Sequence, residues 1–371
     1  GQSKVTQTIA NSNIHGLRQF GTFEVDIVPI VKSVTKYSHM IIDPRSVRYH
    51  LEKALYLISS GRPGPALLDL PLDIQGSLID PAELDSFSPN EEELMVPSAD
   101  MHKVLSLLDN STRPILLVGN GINASGAAIV FRDFVDRLKI PVVTTQLGKD
   151  VLYYDHPLFV GHSGPKGDRA GNFALQTADL IISLGCSLHS QTTGWENKLF
   201  APDAFKVQVD IDSSLFERED IGVDLKIKLP VDKFIGWLDP MVVEHSSSDW
   251  RALCLDWKNR YAVDREPHKS AFGSVNYYHF IYELSKKLNK NVCVTSDSGS
   301  SFYVTGQGLL MKEGQRFISS GSLGAMGFAL PAACGAAFAN PKNTTVCITG
   351  DGSVMTNLHE LATVSHYELN L

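Results

Sequence analysis

The sequence predicts an α/β protein of parallel sheets flanked by helices, divided into three domains. Three observations predict it. Residues 101–237 alternate helix and strand signals, the pattern of βαβ units around a parallel sheet. Two polar stretches, 80–100 and 245–249 with the helix that follows, separate segments of different composition and read as linkers. Near the end, the apolar β-rich run 344–349 breaks into Gly350-Asp351-Gly352-Ser353 and resumes as a helical run over 357–362. That order puts a carboxylate at the carboxyl end of a buried strand, where open α/β sheets bind ligands.

The elements follow in order. Residues 1–80 carry a helix over 47–59, the turn Gly61-Arg62-Pro63-Gly64-Pro65 and a strand over 66–70; a complete sheet domain needs more strands ahead of these. After the first linker come a helix over 101–108, a strand over 114–119, a helix over 126–138 and a strand over 141–145. Residues 178–185 and 206–212 are strand-like with polar ends. Gly119-Asn120-Gly121 invites a dinucleotide-binding reading, but it lacks a third glycine and a recognisable ribose-binding acid, so a short turn is the plainer account. An amphipathic helix over 277–288 leads to a strand over 291–296 and then Asp297-Ser298-Gly299-Ser300-Ser301. This second strand ending in small polar residues is placed to meet the same anion as Gly352 and Ser353, the alternative being a serine-rich surface turn. The resulting division is 1–80, a linker 81–100, a central domain 101–240, a second linker 241–270, and 271–371.

Composition narrows the function. With 371 residues and 43% hydrophobic content the chain can build substantial cores. A net charge of −8 and a pI near 5.8, with no long Lys/Arg run, argue against a nucleic-acid surface. The longest apolar stretches, near 115–118 and 180–184, are too short to span a bilayer, and the first residues lack a charged start followed by an apolar block. The expectation is a soluble, cytoplasmic protein without membrane partners. Cys186, Cys254, Cys293, Cys334 and Cys347 form no C-x-x-C pair and read as buried free thiols of a reducing compartment. Twelve scattered histidines, His162, His189, His359 and His366 among them, show no metal-binding spacing and read as polar or capping groups.

In the segment 350–353 the glycines let backbone approach a bulky anion, the helix start after them offers N–H groups to a diphosphate, and Asp351 can hold a divalent cation. Taken alone, a glycine-flanked aspartate is more often a turn. Twenty-four residues earlier, however, stands Met326, within Ser320-Gly321-Ser322-Leu323-Gly324-Ala325-Met326-Gly327-Phe328-Ala329-Leu330-Pro331-Ala332-Ala333. These two motifs, in this order and spacing, resemble the diphosphate-binding domain of thiamine-diphosphate enzymes of the acetolactate synthase type. Residues 59–71, with Gly61-Arg62-Pro63-Gly64-Pro65 and Leu68-Asp69-Leu70-Pro71, look like the end of that family's pyrimidine-binding domain. The resemblance therefore covers nearly the whole chain.

The resemblance implies a thiamine-diphosphate-binding fold with a Rossmann-like central domain, between the end of a pyrimidine-binding domain and the start of a diphosphate-binding domain. It implies thiamine diphosphate and Mg²⁺ as cofactors, with Asp351 as a metal ligand. A second ligand, an asparagine, is expected beyond Leu371. Met326 matches the bulky apolar residue over which the cofactor bends, with backbone at Gly324 and Met326 holding the pyrimidine. Gly299, Ser300, Ser301, Gly350, Gly352 and Ser353 are expected to bind the diphosphate. The family's essential glutamate would precede Gly1, so the chain reads as truncated at both ends, and Glu24 reads as a surface or capping residue. Gly1-Gln2 resembles the Gly-Gln that ends a strand facing the substrate, making Gln2 a polar neighbour of the reacting centre.

The implied activity is decarboxylation of a 2-oxo acid such as pyruvate, with carboligation to an acceptor carbonyl, in a homodimer or homotetramer. Alternatives are a decarboxylase, an oxidase or a C–C lyase of the same family, a non-catalytic relative, or a flavin- or nicotinamide-dependent oxidoreductase built on the central domain. Two departures from acetolactate synthases stand out. Pro71 is followed by Leu72 and Asp73 where they carry a lysine, and Gly185 leads into residues 186–194, which hold no arginine to meet a flavin pyrophosphate. FAD is therefore not expected. The segments Arg18-Gln19-Phe20-Gly21 and Asp26-Ile27-Val28 look more like the acetolactate-synthase-like carboligases of bacterial sugar and polysaccharide pathways.

Overall fold

The computed structural model describes residues 2–89, 95–263 and 273–371. They form two compact units, Gly1–Met95 and Val96–Leu371. Gly1, residues 90–94 of the expected first linker and residues 264–270 of the second lie outside the described residues.

In the first unit, strands β1 (Tyr37–Met40) and β2 (Ala66–Asp69) pair in parallel, Tyr37 opposite Ala66 and Met40 opposite Asp69. Helix α1 (Val47–Ser59) joins them. Asp43 starts the turn into α1 by accepting the Arg45 N–H at 2.9 Å, the capping that aspartate favours. Glu24 holds the loop before β1: its carboxylate accepts N–H groups from Ile9, Phe20 and Gly21 at 2.6, 2.6 and 2.7 Å. Expected to be a surface or capping residue, it braces this loop through three backbone N–H groups.

The second unit is organised by a six-stranded, all-parallel sheet in the order β5-β4-β3-β6-β7-β8. Its strands are β3 (Pro114–Val118), β4 (Val142–Thr144), β5 (Phe159–His162), β6 (Leu180–Leu184), β7 (Phe205–Asp210) and β8 (Leu225–Lys228). All five residues of β3 and of β6 are buried, as central strands covered on both faces must be. Strand alternation sends Leu116 and Val118 into one core, with Phe131, Phe134 and Val135 of helix α3 (Ala128–Leu138) and Val104 and Leu108 of α2 (Ser98–Asn110). Ile115 and Leu117 face the opposite core, with Ala170 and Ala174 of α4 (Arg169–Thr177). Helix α5 (Val231–Leu238) follows β8 and covers the first face. Helix α6 (Ser248–Arg260) lies in the segment expected to be a linker, and buries Trp250 and Cys254 in the second core. The Trp250 indole N–H donates to the Pro114 carbonyl at 3.0 Å.

Helix α7 (Tyr277–Lys287), capped by Asn276, then leads to a three-stranded parallel sheet ordered β10-β9-β11. Its strands are β9 (Cys293–Ser296), β10 (Arg316–Ser319) and β11 (Thr345–Ile348), connected by α8 (Ser300–Gly308) and α9 (Ala329–Ala339). Two helices follow β11, α10 (Asp351–Met355) and α11 (Glu360–His366). Neither β10 nor α9 stood out in the sequence as a separate element. The core here is small, centred on Ile281, Val294, Leu309 and Phe317.

The small sheet leans on the large one through residues that follow β4. Lys149 Nζ donates to the Gly306 carbonyl at 2.7 Å, and the Tyr154 N–H donates to the Met311 carbonyl at 2.8 Å. Asp150 accepts from Arg316 Nε at 2.7 Å, the Phe317 N–H at 3.1 Å and Asn123 Nδ2 at 2.7 Å.

Candidate active site

The loops leaving β9, β10 and β11 gather at one carboxyl edge, and Asp297 ties them together. It is 1% exposed. One carboxylate oxygen accepts the N–H groups of Ser298 at 2.8 Å and Gly327 at 3.0 Å; the other accepts the Ala329 N–H at 3.3 Å and the Thr349 hydroxyl at 3.0 Å. Four donors from three loops thus converge on one buried side chain, which locks the spacing between them. The sequence reading passed over this residue in favour of the glycine and serines after it. The signal was an acid in the first position beyond a buried strand, with Thr349 in the matching position beyond the neighbouring strand.

Met326 sits at the rim of this edge, 57% exposed, and Leu323 nearby is 90% exposed. The intervening Gly324 is in the left-handed region at φ +57, so glycine suits this turn. Gly327 has φ +82, and a Cβ there would lie 1.8 Å from the Thr356 hydroxyl. Asn357 Nδ2 donates to the Gly327 carbonyl at 2.7 Å. Only glycine fits between Met326 and the start of the last helices.

Across from Met326 lie the remaining expected residues of this edge. A Cβ at Gly350 would meet nothing within 4 Å, and one at Gly352 would meet only the Met326 methyl at 3.8 Å. Asp351 and Gly352 are exposed, while Ser353 is buried with its hydroxyl 3.4 Å from that of Ser298. Gly299, at φ +66, precedes α8, and Gly299 and Ser300 are exposed. The N–H groups of Ser300 and Ser301 meet no acceptor among the described residues, as the first turn of a helix leaves them. The Ser301 hydroxyl donates to the Ser298 carbonyl at 2.6 Å and is buried, so only its N–H is open. Among the described residues no group of three His, Cys, Asp or Glu could hold a metal by itself.

Gln2 belongs to the other unit. Its side-chain amide is engaged at both ends by Val25, donating to the carbonyl and accepting the N–H at 3.3 Å. Its own backbone bridges to Pro71 beyond β2.

The carboxyl edge of the large sheet reverses strand order between β3 and β6. A ligand crevice is expected at such a point, and here glycine backbone from the two loops meets across it. The Gly121 N–H donates to the Gly185 carbonyl at 3.0 Å, and a Cβ at Gly119 would lie 2.2 Å from that carbonyl. The short turn expected at Gly119-Asn120-Gly121 is what forms, running into the brief helix Gly121–Ala124.

Where the two sheets meet, Lys149 is fully buried beside His162, Nζ 3.3 Å from Nε2. Burial lowers the lysine to about 8 against the pull of Asp168 and Asp150. Burial, and then Lys149, hold His162 well below its ordinary value. A cavity of about 20 Å³ beside them, lined by Tyr154, Asp168, Lys258 and Gln307, has room for about one water and not for a cofactor. This cluster fastens the two sheets.

Residues 101–235 match the family described as thiamine pyrophosphate enzyme, central domain. Residues 297–371 match thiamine pyrophosphate enzyme, C-terminal TPP binding domain, so the edge organised by Asp297 falls within a domain defined by that cofactor. The chain is a member of the thiamine pyrophosphate enzymes. Among its relatives in that family, the acetolactate synthase isozyme 1 large subunit of Escherichia coli (strain K12) is 30% identical over 358 residues, covering 94% of this chain and 61% of that protein. The isozyme 2 large subunit of the same organism is 32% identical over 355 residues, covering 94% and 62%. The probable acetolactate synthase large subunit of Methanocaldococcus jannaschii is 30% identical over 364 residues, covering 93% and 60%. The chain thus spans about three fifths of the length of these relatives.

Proposed function

We propose that the protein is a thiamine-diphosphate- and Mg²⁺-dependent enzyme that decarboxylates a 2-oxo acid, pyruvate being the simplest, and joins the remaining acyl group to an acceptor carbonyl. The observation that carries this is the open cradle at the carboxyl edge of β9 and β11, lying within a TPP-binding domain. The residues fit the cofactor: exposed Asp351 supplies one hard oxygen ligand, and a Cβ at half-buried Gly350 would meet nothing within 4 Å. The N–H groups of Ser300 and Ser301 meet no acceptor among the described residues. One carboxylate with phosphate oxygens and water is a donor set that suits Mg²⁺.

When bound, thiamine diphosphate supplies the electron sink that lets a 2-oxo acid lose CO₂. This chain's own residues do the rest of the work at this edge. Asp351 holds the metal, and Gly350, Gly352, Ser353, Gly299, Ser300 and Ser301 receive the diphosphate. Met326 would offer the cofactor an apolar shoulder beside Gly352, and the backbone of Gly324 and Met326 would hold its pyrimidine. In the overall reaction the bond from the 2-oxo carbon to the carboxylate breaks and CO₂ leaves. A new carbon–carbon bond forms to the acceptor's carbonyl carbon, and the acceptor oxygen takes up one proton to become a hydroxyl. Gln2, expected at the reacting centre, would have to give up its contacts with Val25 to reach substrate.

The proposal assigns no flavin to the central sheet. Support comes from the contact of the glycine loops at its switch point and from Arg218, whose guanidinium is committed to the Ser187 and Leu188 carbonyls and to Asp220. We place the enzyme in the cytoplasm as a homodimer or homotetramer, without nucleic-acid or membrane partners. No described helix is long and apolar enough to cross a membrane, and the five cysteines are free.

Calorimetric titration of the full-length protein with thiamine diphosphate, in Mg²⁺ and in EDTA, tests the reading. One site per chain that disappears in EDTA is the expected result. No binding in either buffer would overturn it.

A further inference from the structure

The loop over 185–194, which leaves the large sheet after β6, is held in one conformation. Leu188 adopts φ +49, a left-handed conformation costly for leucine, and its side chain is 2% exposed. Arg218 pins the Ser187 and Leu188 carbonyls at 3.2 and 2.9 Å. Gly164, at φ +94, packs so closely on the loop that a Cβ there would lie 1.8 Å from the Gln191 carbonyl. The strained turn at Leu188 directs the next residue, His189, toward the loop that carries Met326.

His189 Nδ1 accepts the Gln191 N–H at 3.1 Å, which puts the ring proton on Nε2, and Nε2 stands 3.4 Å from the Ser322 hydroxyl. Ser322 lies four residues before Met326, in a turn braced from the other side by Leu147, whose methyl would sit 2.9 Å from a Cβ at Gly321. Leu323 and Met326, on the same turn as Ser322, are exposed apolar side chains. A directed N–H donor near exposed apolar side chains is the kind of group that orients a small carbonyl compound. Loop 185–194 itself carries no charged Lys, Arg, Asp or Glu side chain.

We propose that His189 orients the acceptor, its Nε2–H donating a hydrogen bond to the acceptor's carbonyl oxygen between the loop over 185–194 and the Met326 loop. This rests on the diphosphate site proposed above. The histidine gives up no proton in the step; its hydrogen bond draws electron density toward the oxygen and leaves the carbonyl carbon more open to bond formation. The Ser322 hydroxyl is the partner that the acceptor's oxygen replaces.

The test uses two variants of the full-length protein with thiamine diphosphate and Mg²⁺, pyruvate as the donor, and acetaldehyde and pyruvate as acceptors. His189→Asn keeps a side-chain oxygen to accept the Gln191 N–H but removes the Nε2–H donor. His189→Gln keeps an N–H of similar reach. The expected result is an acceptor KM raised about tenfold in His189→Asn, as loss of one hydrogen bond predicts, with much of the loss recovered in His189→Gln and an unchanged Kd for thiamine diphosphate in both. Wild-type acceptor KM in His189→Asn overturns the proposal. So does equal impairment of both variants with weakened cofactor binding, which marks a structural role, or failure of the wild-type protein to ligate either acceptor. Failure of the wild-type protein to bind thiamine diphosphate overturns the site itself and the proposal with it.

Discussion

Asp297 accepts the backbone N–H of Gly327 at 3.0 Å, joining the end of the central strand of the small sheet to the loop that presents Met326. Because the same carboxylate also holds Thr349, one step before Gly350, the two halves of the proposed cradle share a single anchor.

Replacing that anchor should therefore disturb both halves. In Asp297→Asn an amide NH₂ faces the Ala329 N–H, leaving a buried donor unpaired at a cost of roughly 1–3 kcal/mol. Urea unfolding should report the lost stability, and calorimetry a weaker affinity for thiamine diphosphate. Unchanged affinity in a destabilised variant would show that the two loops keep their spacing without the carboxylate.

Asp351 behaves oppositely, since it is exposed and at the edge of the cradle. Asp351→Ala should shift stability by less than about 0.5 kcal/mol while removing the Mg²⁺ dependence of thiamine diphosphate binding. Equal binding in Mg²⁺ and EDTA, each weaker than wild type in Mg²⁺, is the expected calorimetric result.

Stability should rise as pH is raised from about 7.5 to about 9. Burial lowers both Lys149 and Lys258 to about 8 in the folded state, from an ordinary 10.5. Above about 8 the folded protein sheds these protons while the unfolded chain retains them, so each lysine's penalty is relieved, by at most about 1.4 kcal/mol per pH unit. From about 9 upward burial acts through cysteine in the other sense. Cys186 is pushed up to about 11 and Cys254 to about 12, so the unfolded thiols ionise first and stability falls. Urea midpoints at pH 7.5, 8.5 and 9.5 (about one-unit steps) should therefore climb and then flatten. A Lys149→Met, Lys258→Met double variant should lose the climb.

Helix α6 gives a fourth expectation. Trp250 is 4% exposed and donates to Pro114 at the start of β3. Trp250→Ala should cost about 3–5 kcal/mol, measured by denaturant unfolding. A cost below about 1 kcal/mol would mean that the helix is dispensable to the large sheet.

Strands with strong apolar runs, such as β3 and β6, were legible in the sequence because burial on both faces leaves a continuous signal. Strands β5 and β10 were not, since His162 within one and Arg316 in the other break the pattern; both side chains serve the seam between the sheets. Helix α6 was expected, but as part of a linker, because its sequence is largely polar and only Trp250, Cys254 and Lys258 are buried. Met326 and Asp351 could be singled out in the sequence because their motifs are local, and the structure brings them to one edge. The reach of Asp297 to Gly327 and Thr349 spans 30 and 52 positions, and that of His189 to Ser322 spans 133. No local pattern encodes such distances.

The residues that follow β4 also bear on the order in which the protein is made. A ribosome completes Lys149, Asp150 and Tyr154 well before it delivers Gly306, Met311 and Arg316, which they bind. The large sheet can thus close first, as domains generally do during synthesis, and present a finished docking edge to a small sheet whose own core is modest. A chain ending just after Asp212 lacks β8 and α5 and should leave the large sheet incomplete, whereas one ending after Tyr261 already carries the surface on which the small sheet assembles.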